Sequence, residues 1–209
     1  LIVVGILVAL GISDWYDRYI DRQDELALLA EIRSAVQLDQ ATLTLKLAEI
    51  RGVERQIEQL LDLVENPPPY QPSMDALFGA VYAVRTVVLN TAAYDTLSSI
   101  GLQRISNESL RLAIAQLYDT QYEKIIGGHD VDSQAILNLF RPYFMENFSR
   151  IRFKVSATPL DYQRTIHDPY FINLVDYRLQ ILRSNQLSSY TETIEVMDAL
   201  LGLLDRELN

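Results

Sequence analysis

The chain has 209 residues, 49% of them apolar, and a formal net charge of −10. That length suits one domain, or one domain with an anchor, and the acidic balance excludes nucleic acid as a partner, because phosphate binding needs a dominant basic face. The absence of cysteine excludes disulfides, thiolate metal sites and cysteine nucleophiles together.

Leu1 to Ile12 carry no charged or polar side chain. Twelve residues of helix rise about 18 Å, against a hydrocarbon core of about 30 Å. The run opens without an initiator Met, so the expectation is a sequence that starts inside a longer apolar helix. Trp15 and Tyr16 stand beside the first charges, Asp14 and Arg18. Rings with an apolar body and a polar edge favour a bilayer interface at such a place. Residues 1–20 therefore read as the C-terminal part of a transmembrane anchor, with Trp15, Tyr16 and Arg18 at the membrane interface. A buried amphipathic helix of a soluble domain and a signal-peptide core are the alternatives. Ser13-Asp14-Trp15 does not resemble a cleavage site.

Residues 21–66 form a long helical arm. Leu29, Val36, Leu43, Ile50, Ile57 and Val64 recur every seventh residue, and Ile32, Val53 and Leu60 join them on a second seam position. A sustained heptad pattern predicts a coiled-coil-like contact, with a partner chain or with another helix. Asp39 and Lys46 interrupt that second position. They are expected to point to solvent; the sharper reading has them fix register or oligomer state. Asn66-Pro67-Pro68-Pro69 ends the arm, because each proline lacks an N–H and restrains the residue before it.

Residues 67–168 read as a compact helical subdomain. Ser73 looks like an N-cap for a helix over 74–89, and a second helix runs to Ile100 before Gly101. Ser106 can cap the next, which Gly127-Gly128 should end. Asp132 or Ser133 starts another, kinked or broken at Pro142. Ile151, Phe153 and Val155 alternate with Arg150, Arg152 and Lys154, a two-residue period that could be a strand. With no second strand of similar quality in view, the expectation is the end of a helix. With Arg141 these bases form the one basic cluster, read as a solvated face or as a docking patch for an acidic partner or anionic headgroups.

Residues 169–209 form a long C-terminal helix, capped by Asp168 and started by Pro169. Its apolar seam slips between Leu182 and Tyr190, where Gln186 intervenes, like a stutter. Two long apolar-faced helices around an insertion suggest an antiparallel pair. The whole is expected to be all-α: an N-terminal transmembrane helix continuous with a coiled-coil-like arm, packed antiparallel to the C-terminal helix, with the compact insertion at the far end. Residues 1–65 carry 12 acids and 6 bases, and 66–168 carry 10 and 9. An acid-rich flank after the anchor favours the non-cytoplasmic side.

The stretch Gly5-Ile6-Leu7-Val8-Ala9-Leu10-Gly11-Ile12-Ser13-Asp14-Trp15, with Leu28-Leu29-Ala30-Glu31-Ile32 after it, resembles the opening of an uncharacterised bacterial family of single-anchor helical membrane proteins, catalogued as a domain of unknown function. Asn90-Thr91-Ala92-Ala93-Tyr94-Asp95-Thr96-Leu97, followed by Ile105-Ser106-Asn107, resembles a second shared block. Here Ser13-Asp14 replaces the usual Asn pair. The resemblance implies a single-span membrane protein and no particular activity.

Chemistry is sparse. His129 and His167 are isolated, and Gly128-His129-Asp130-Val131-Asp132 reads as a surface turn rather than a metal loop. There is no phosphate loop, nucleophile elbow or His-Glu-x-x-His. The expected function is a membrane-anchored interaction or scaffold protein, a homo-oligomer or an accessory subunit of a larger membrane complex, and not an enzyme. Its expected partners are the lipid bilayer and other protein chains, with no cofactor. The expected location is the bacterial inner membrane, with the body periplasmic. The alternative is a periplasmic sensor-type domain that holds a ligand between helices.

Overall fold

A computed structural model describes residues 2–83 and 85–209, with side chains described from residue 11 onward. In chain order the elements are α1 (Ile2–Glu65), α2 (Asp75–Val81), α3 (Ala92–Ile100), α4 (Glu108–Ala115), a π-helical stretch (Gln116–Tyr122), α5 (Glu123–Ala135), a π turn (Ile136–Phe140), α6 (Arg141–Asn147), β1 (Phe148–Arg152), β2 (Ser156–Pro159), α7 (Tyr162–His167), α8 (Pro169–Ile181), a π segment (Leu182–Leu187) and α9 (Ser188–Leu208). The fold is all-α apart from one small hairpin among the described residues. Two compact units divide it. One gathers Leu1–Ala41, Leu89–Thr120 and Glu195–Asn209; the other gathers Thr42–Val88 and Gln121–Ile194.

The transmembrane helix expected at the start is not found as such. Among the described residues no helix is long and apolar enough to cross a membrane. That expectation falls largely on Leu1 to Leu10, whose side chains lie outside the described residues.

In the first unit α1 and the end of α9 run antiparallel. Arg22 donates to Glu207 (2.6 Å), Arg33 to Asp205 (2.6 Å) and Gln40 to Asp198 (2.6 Å), so positions rise along one helix as they fall along the other. Leu29, Ile32 and Val36 of the seam are buried in this unit, as are Tyr94, Leu97, Leu110, Ile114, Met197 and Leu204. α3 ends where Gly101 takes φ 99°, with its N–H on the Leu97 carbonyl at 3.0 Å. Ser106 does not cap α4. Asn107 does, accepting from the Leu110 N–H at 3.3 Å, while Ser106 turns to Glu25. Asp39 is not at the solvent face either. It is buried, and both its oxygens accept the Asn90 N–H (3.0 and 2.9 Å), a donor that precedes α3 and has no helical partner of its own. Lys46, which belongs to the second unit, is half-buried and pairs with Glu49.

The second unit buries Leu43, Ile50, Val53, Ile57 and Leu60 of the seam, while Val64 stays half-exposed. Its centre is aromatic: Phe78, Phe144, Phe148 and Phe171 pack with ring centroids 4.3–5.9 Å apart along Phe144–Phe148, Phe78–Phe148 and Phe78–Phe171. The segment expected to be a helix end is a strand. β1 pairs antiparallel with β2, Phe148 opposite Pro159 and Arg152 opposite Ser156, with a break in register between Ser149 and Arg152. The alternation of residues 149–155 was the strand signal. Its partner, Ser156-Ala157-Thr158-Pro159, is too short and polar to announce itself. Gly79 of α2 makes the docking possible: a Cβ there would lie 2.5 Å from the Ser156 backbone. Only a residue without one lets helix and hairpin approach so closely.

Three further expectations change. The helix expected over 74–89 spans only Asp75–Val81, with no Ser73 cap, and Thr86, Val87 and Val88 belong to no regular element, in keeping with the lower helix propensity of β-branched residues; Val84 lies outside the described residues. Gly127-Gly128 do not end a helix, because α5 runs through them. A Cβ on Gly128 would lie 3.1 Å from the Asn185 carbonyl oxygen, so this glycine admits a close neighbour. Pro142 neither breaks nor starts a helix: it follows the π turn Ile136–Phe140 in a helical stretch that runs on to Asn147, and that turn is where the ladder departs from α geometry. At the C-terminal helix, Asp168 accepts from the Tyr170 N–H at 2.9 Å as expected. The slip in the seam is the π segment Leu182–Leu187, whose wider turn rotates the buried face by about one residue.

Candidate functional site

The most unusual chemistry in the molecule is a charged cluster sealed in the second unit. Asp132 on α5, Arg178 on α8 and Gln186 on the π segment are all fully buried, and Arg85, outside any regular element after α2, nearly so. The Arg178 guanidinium forms a salt bridge with the Asp132 carboxylate and donates to the Ala83 carbonyl at 2.8 Å. The Gln186 amide donates to Asp132 at 2.8 Å and to the Arg85 carbonyl at 3.3 Å. Arg85 faces Glu49 of α1 at 3.4 Å.

The arrangement follows from local structure. Ala83 and Arg85 lie outside helix and strand, so their carbonyls have no ladder partner, and a buried carbonyl left alone is costly. Arg178 and Gln186 supply those donors. The buried Asp132 carboxylate compensates Arg178, and Arg85 reaches Glu49, which is 43% exposed, as a charge in a low-dielectric interior requires a partner. Burial first, and the Arg178 cation second, hold the Arg85 guanidinium below the ordinary arginine value, against the pull of Glu49 and Asp132. Arg178 Nε, Arg85 Nη1 and Gln186 Oε1 make no hydrogen bond among the described residues. Beside the cluster, His129 Nε2 meets the Tyr190 hydroxyl at 2.8 Å. Burial lowers the His129 pKa against the pull of Asp132 and Asp130, and burial also raises that of Tyr190.

Two expectations are corrected here. His129 does not lie in a surface turn but within α5, half-buried; Asp132 does not start a helix but sits inside one, at its most buried polar position. Among the described residues no group of three or more His, Asp or Glu could hold a metal ion. The cluster joins its groups to one another and to backbone rather than to open space. Its chemistry is that of a clamp on the Ala83 and Arg85 carbonyls.

The outward-facing features differ in kind. On α1 every residue from Gly11 to Asp21 is exposed, including Ile12, Trp15 (62%), Tyr16, Tyr19 and Ile20. Trp15 stacks on Tyr19 with centroids 6.1 Å apart, and Arg18 donates to the Asp14 carbonyl at 3.1 Å. Leu1 to Leu10, the rest of the expected anchor, carry no described side chains. In the second unit an open groove of about 460 Å³ lies between Ile136, Leu137, Arg141 and Met145 on one side and Ile151 and Phe153 on the other. In the first unit a polar node joins Arg22, Glu25, Ser106, Asn107 and Glu207.

Sequence reasoning picked out the aromatic collar and the seam, which the structure divides between the two units. It missed Arg85, Arg178 and Gln186 as a group. A signal existed: Arg178 falls between Val175 and Leu182 on the apolar face of its helix, a place where a charge demands a partner.

The chain belongs to a family of unknown function (DUF6090), whose model matches residues 1–181. No curated protein and no solved structure matches it.

Proposed function

We propose that this chain is a membrane-attached helical interaction or scaffold protein, its body held at a lipid surface through the start of α1. The observation that carries the reading is the bare collar from Ile12 to Ile20. Five large apolar or aromatic side chains there face water, directly after a run of purely apolar residues. A contiguous exposed apolar patch of this kind marks an interaction site. Trp and Tyr next to the first charges are the composition of a bilayer interface. The acid-rich flank that follows fits the non-cytoplasmic face of a bacterial inner membrane. The buried cluster of the second unit and the seam residues buried within each unit leave outward-facing residues to present surfaces. Any partner chain, a second copy or a larger complex, would then meet outward-facing residues.

Vesicle flotation of the full chain tests this. The chain should float with phosphatidylcholine vesicles, with little effect of salt, since the flank repels rather than attracts anionic headgroups. Replacing Trp15, Tyr16 and Tyr19 by Ser should weaken partitioning by about tenfold or more. A full chain that stays with the unbound fraction overturns the reading.

A further inference from the structure

The groove beside the hairpin of the second unit points to a partner class. Resting on the interaction reading above, we propose that it docks an acidic amphipathic helix of another protein. Leu137, Met145 and Phe153 line it yet remain about half or more exposed, at 49%, 58% and 61%. Tyr82, itself buried, stacks on Phe144 and forms part of the lining. A volume of about 460 Å³ falls within the range of sites that engulf apolar groups.

Charge selects the occupant. Arg141 lines the groove. No acid lines it, and Arg141 forms no ion pair among the described residues. In a chain of net charge −10 this is a local reversal of sign. Such a site attracts partners whose acids surround apolar anchors and disfavours basic ones.

Shape decides between partner types. A concave slot receives inserted side chains, whereas a lipid surface is met by a protruding edge. Strand addition is disfavoured: the β1–β2 register breaks between Ser149 and Arg152, and Arg150 takes φ 48°. A bulged, charge-flanked strand is a poor template for pairing. Helix-in-groove recognition remains, with anchors spaced three and four residues apart.

A displayed library of random helical peptides, panned against the full chain, tests the proposal. Enriched peptides should combine acidic residues with large apolar ones. They should bind Leu137→Asp about tenfold or more weakly, and Arg141→Glu should shift enrichment toward basic peptides. Both positions are exposed; a variant whose melt departs from that of the parent is replaced by Met145→Asp. Enriched peptides without acidic bias, or indifferent to these changes, overturn the groove and leave the interaction reading standing. No enrichment at all overturns the groove as a helix site and leaves the membrane reading to the flotation result. Binding to phosphatidylglycerol vesicles by the Trp15, Tyr16 and Tyr19 triple variant, lost on Arg141→Glu, would assign the groove to lipid and overturn the helix. Flotation of the parent chain reports on the collar separately from each of these outcomes.

Discussion

The two units use the same chemical groups and place them differently with respect to water. In the first, carboxylates and guanidiniums meet at the edge: Arg33 and Asp205 are both partly exposed, and so are Arg104 and Asp21. In the second, Asp132, Arg178 and Gln186 meet in full burial beside an aromatic core. Water screens the first kind of contact and leaves it nearly neutral in free energy. The second kind exists only while every member is present, because each charge was desolvated on the strength of the others. The exposed pairs of the first unit therefore tolerate the loss of a partner, and the buried cluster of the second does not.

The largest expected effect tests that contrast. Asp132→Ala leaves the Arg178 cation buried without its carboxylate and should destabilise the protein by about 3–5 kcal/mol. Chemical denaturation of the full chain measures it. Replacing the pair together, Asp132→Leu with Arg178→Met, should recover much of the loss, although the Ala83 carbonyl then lacks its donor. If Asp132→Ala costs no more than an exposed ion-pair deletion, burial of the cluster is not what distinguishes this unit.

Glu25 is the residue of the first unit whose setting most resembles that of the buried cluster. It is buried and accepts from the Ser106 N–H at 2.7 Å, the Ser106 hydroxyl at 2.9 Å and Arg22 at 2.8 Å. Glu25→Ala should cost about 1.5–3 kcal/mol, the range for hydrogen bonds to a charged group. Burial alone would raise the Glu25 pKa, but Arg22 and Ser106 together hold it below the ordinary glutamate value. Its stabilisation is thus present above the unfolded-state pKa and is lost as pH falls through the folded one. His129 sends the second unit the same way at higher pH. Burial depresses its pKa below the ordinary histidine value, so its contribution erodes once pH drops below that value toward the folded one. A pH series should show His129→Gln flattening the loss between neutrality and mild acid. Glu25→Gln should flatten only the more acid limb. Identical profiles for the two variants would remove the distinction.

Gly79→Ala tests packing rather than charge. The new methyl would meet backbone of Ser156, which cannot swing aside as a side chain could. Overpacking against backbone should cost about 1–3 kcal/mol, and the Phe78–Phe148 contact across the same joint should loosen, visible as a change in near-ultraviolet circular dichroism. An unchanged spectrum and midpoint would show that the hairpin is free to shift.

How much of this could be read from the residues alone depended on whether the signal was local. The seam of α1, the Asp168-Pro169 start and the Gly101 stop are local: period, cap chemistry and φ > 0 tolerance decide them within a turn or two. The failures were nonlocal. Ser73 and Ser106 are sound caps in isolation, but Asn107 and a short 3-10 turn outcompete them in place. Gly127-Gly128 resemble a terminator because glycine is a poor helix former by about 1 kcal/mol. The approach of Asn185 to Gly128 is the reason for glycine there, and no window of sequence contains both. The strand at Phe148–Arg152 was half legible, since its alternation is local and its partner is not. Of the candidate site, the collar could be read because exposed aromatics beside charges form a composition pattern. The clamp could not, because four positions from four segments come together only through tertiary structure.

The smallest effect is the one that keeps the comparison honest in the other direction. Arg33 donates to Asp205 at 2.6 Å, a distance that would be taken for a strong contact if distance were the measure. Both side chains remain 39% and 50% exposed. Each must give up rotamer freedom to hold the geometry, and water already solvates both charges. Arg33→Ala should therefore change stability by no more than about 0–1 kcal/mol at low salt, and by less at 0.5 M salt, where screening acts within a few ångströms. The antiparallel register of α1 and α9 in that unit should persist, since Arg22–Glu207, Gln40–Asp198 and the buried seam residues specify it without Arg33. A loss of several kcal/mol, unaffected by salt, would mean that this edge behaves like the interior cluster and that exposure does not separate the two units.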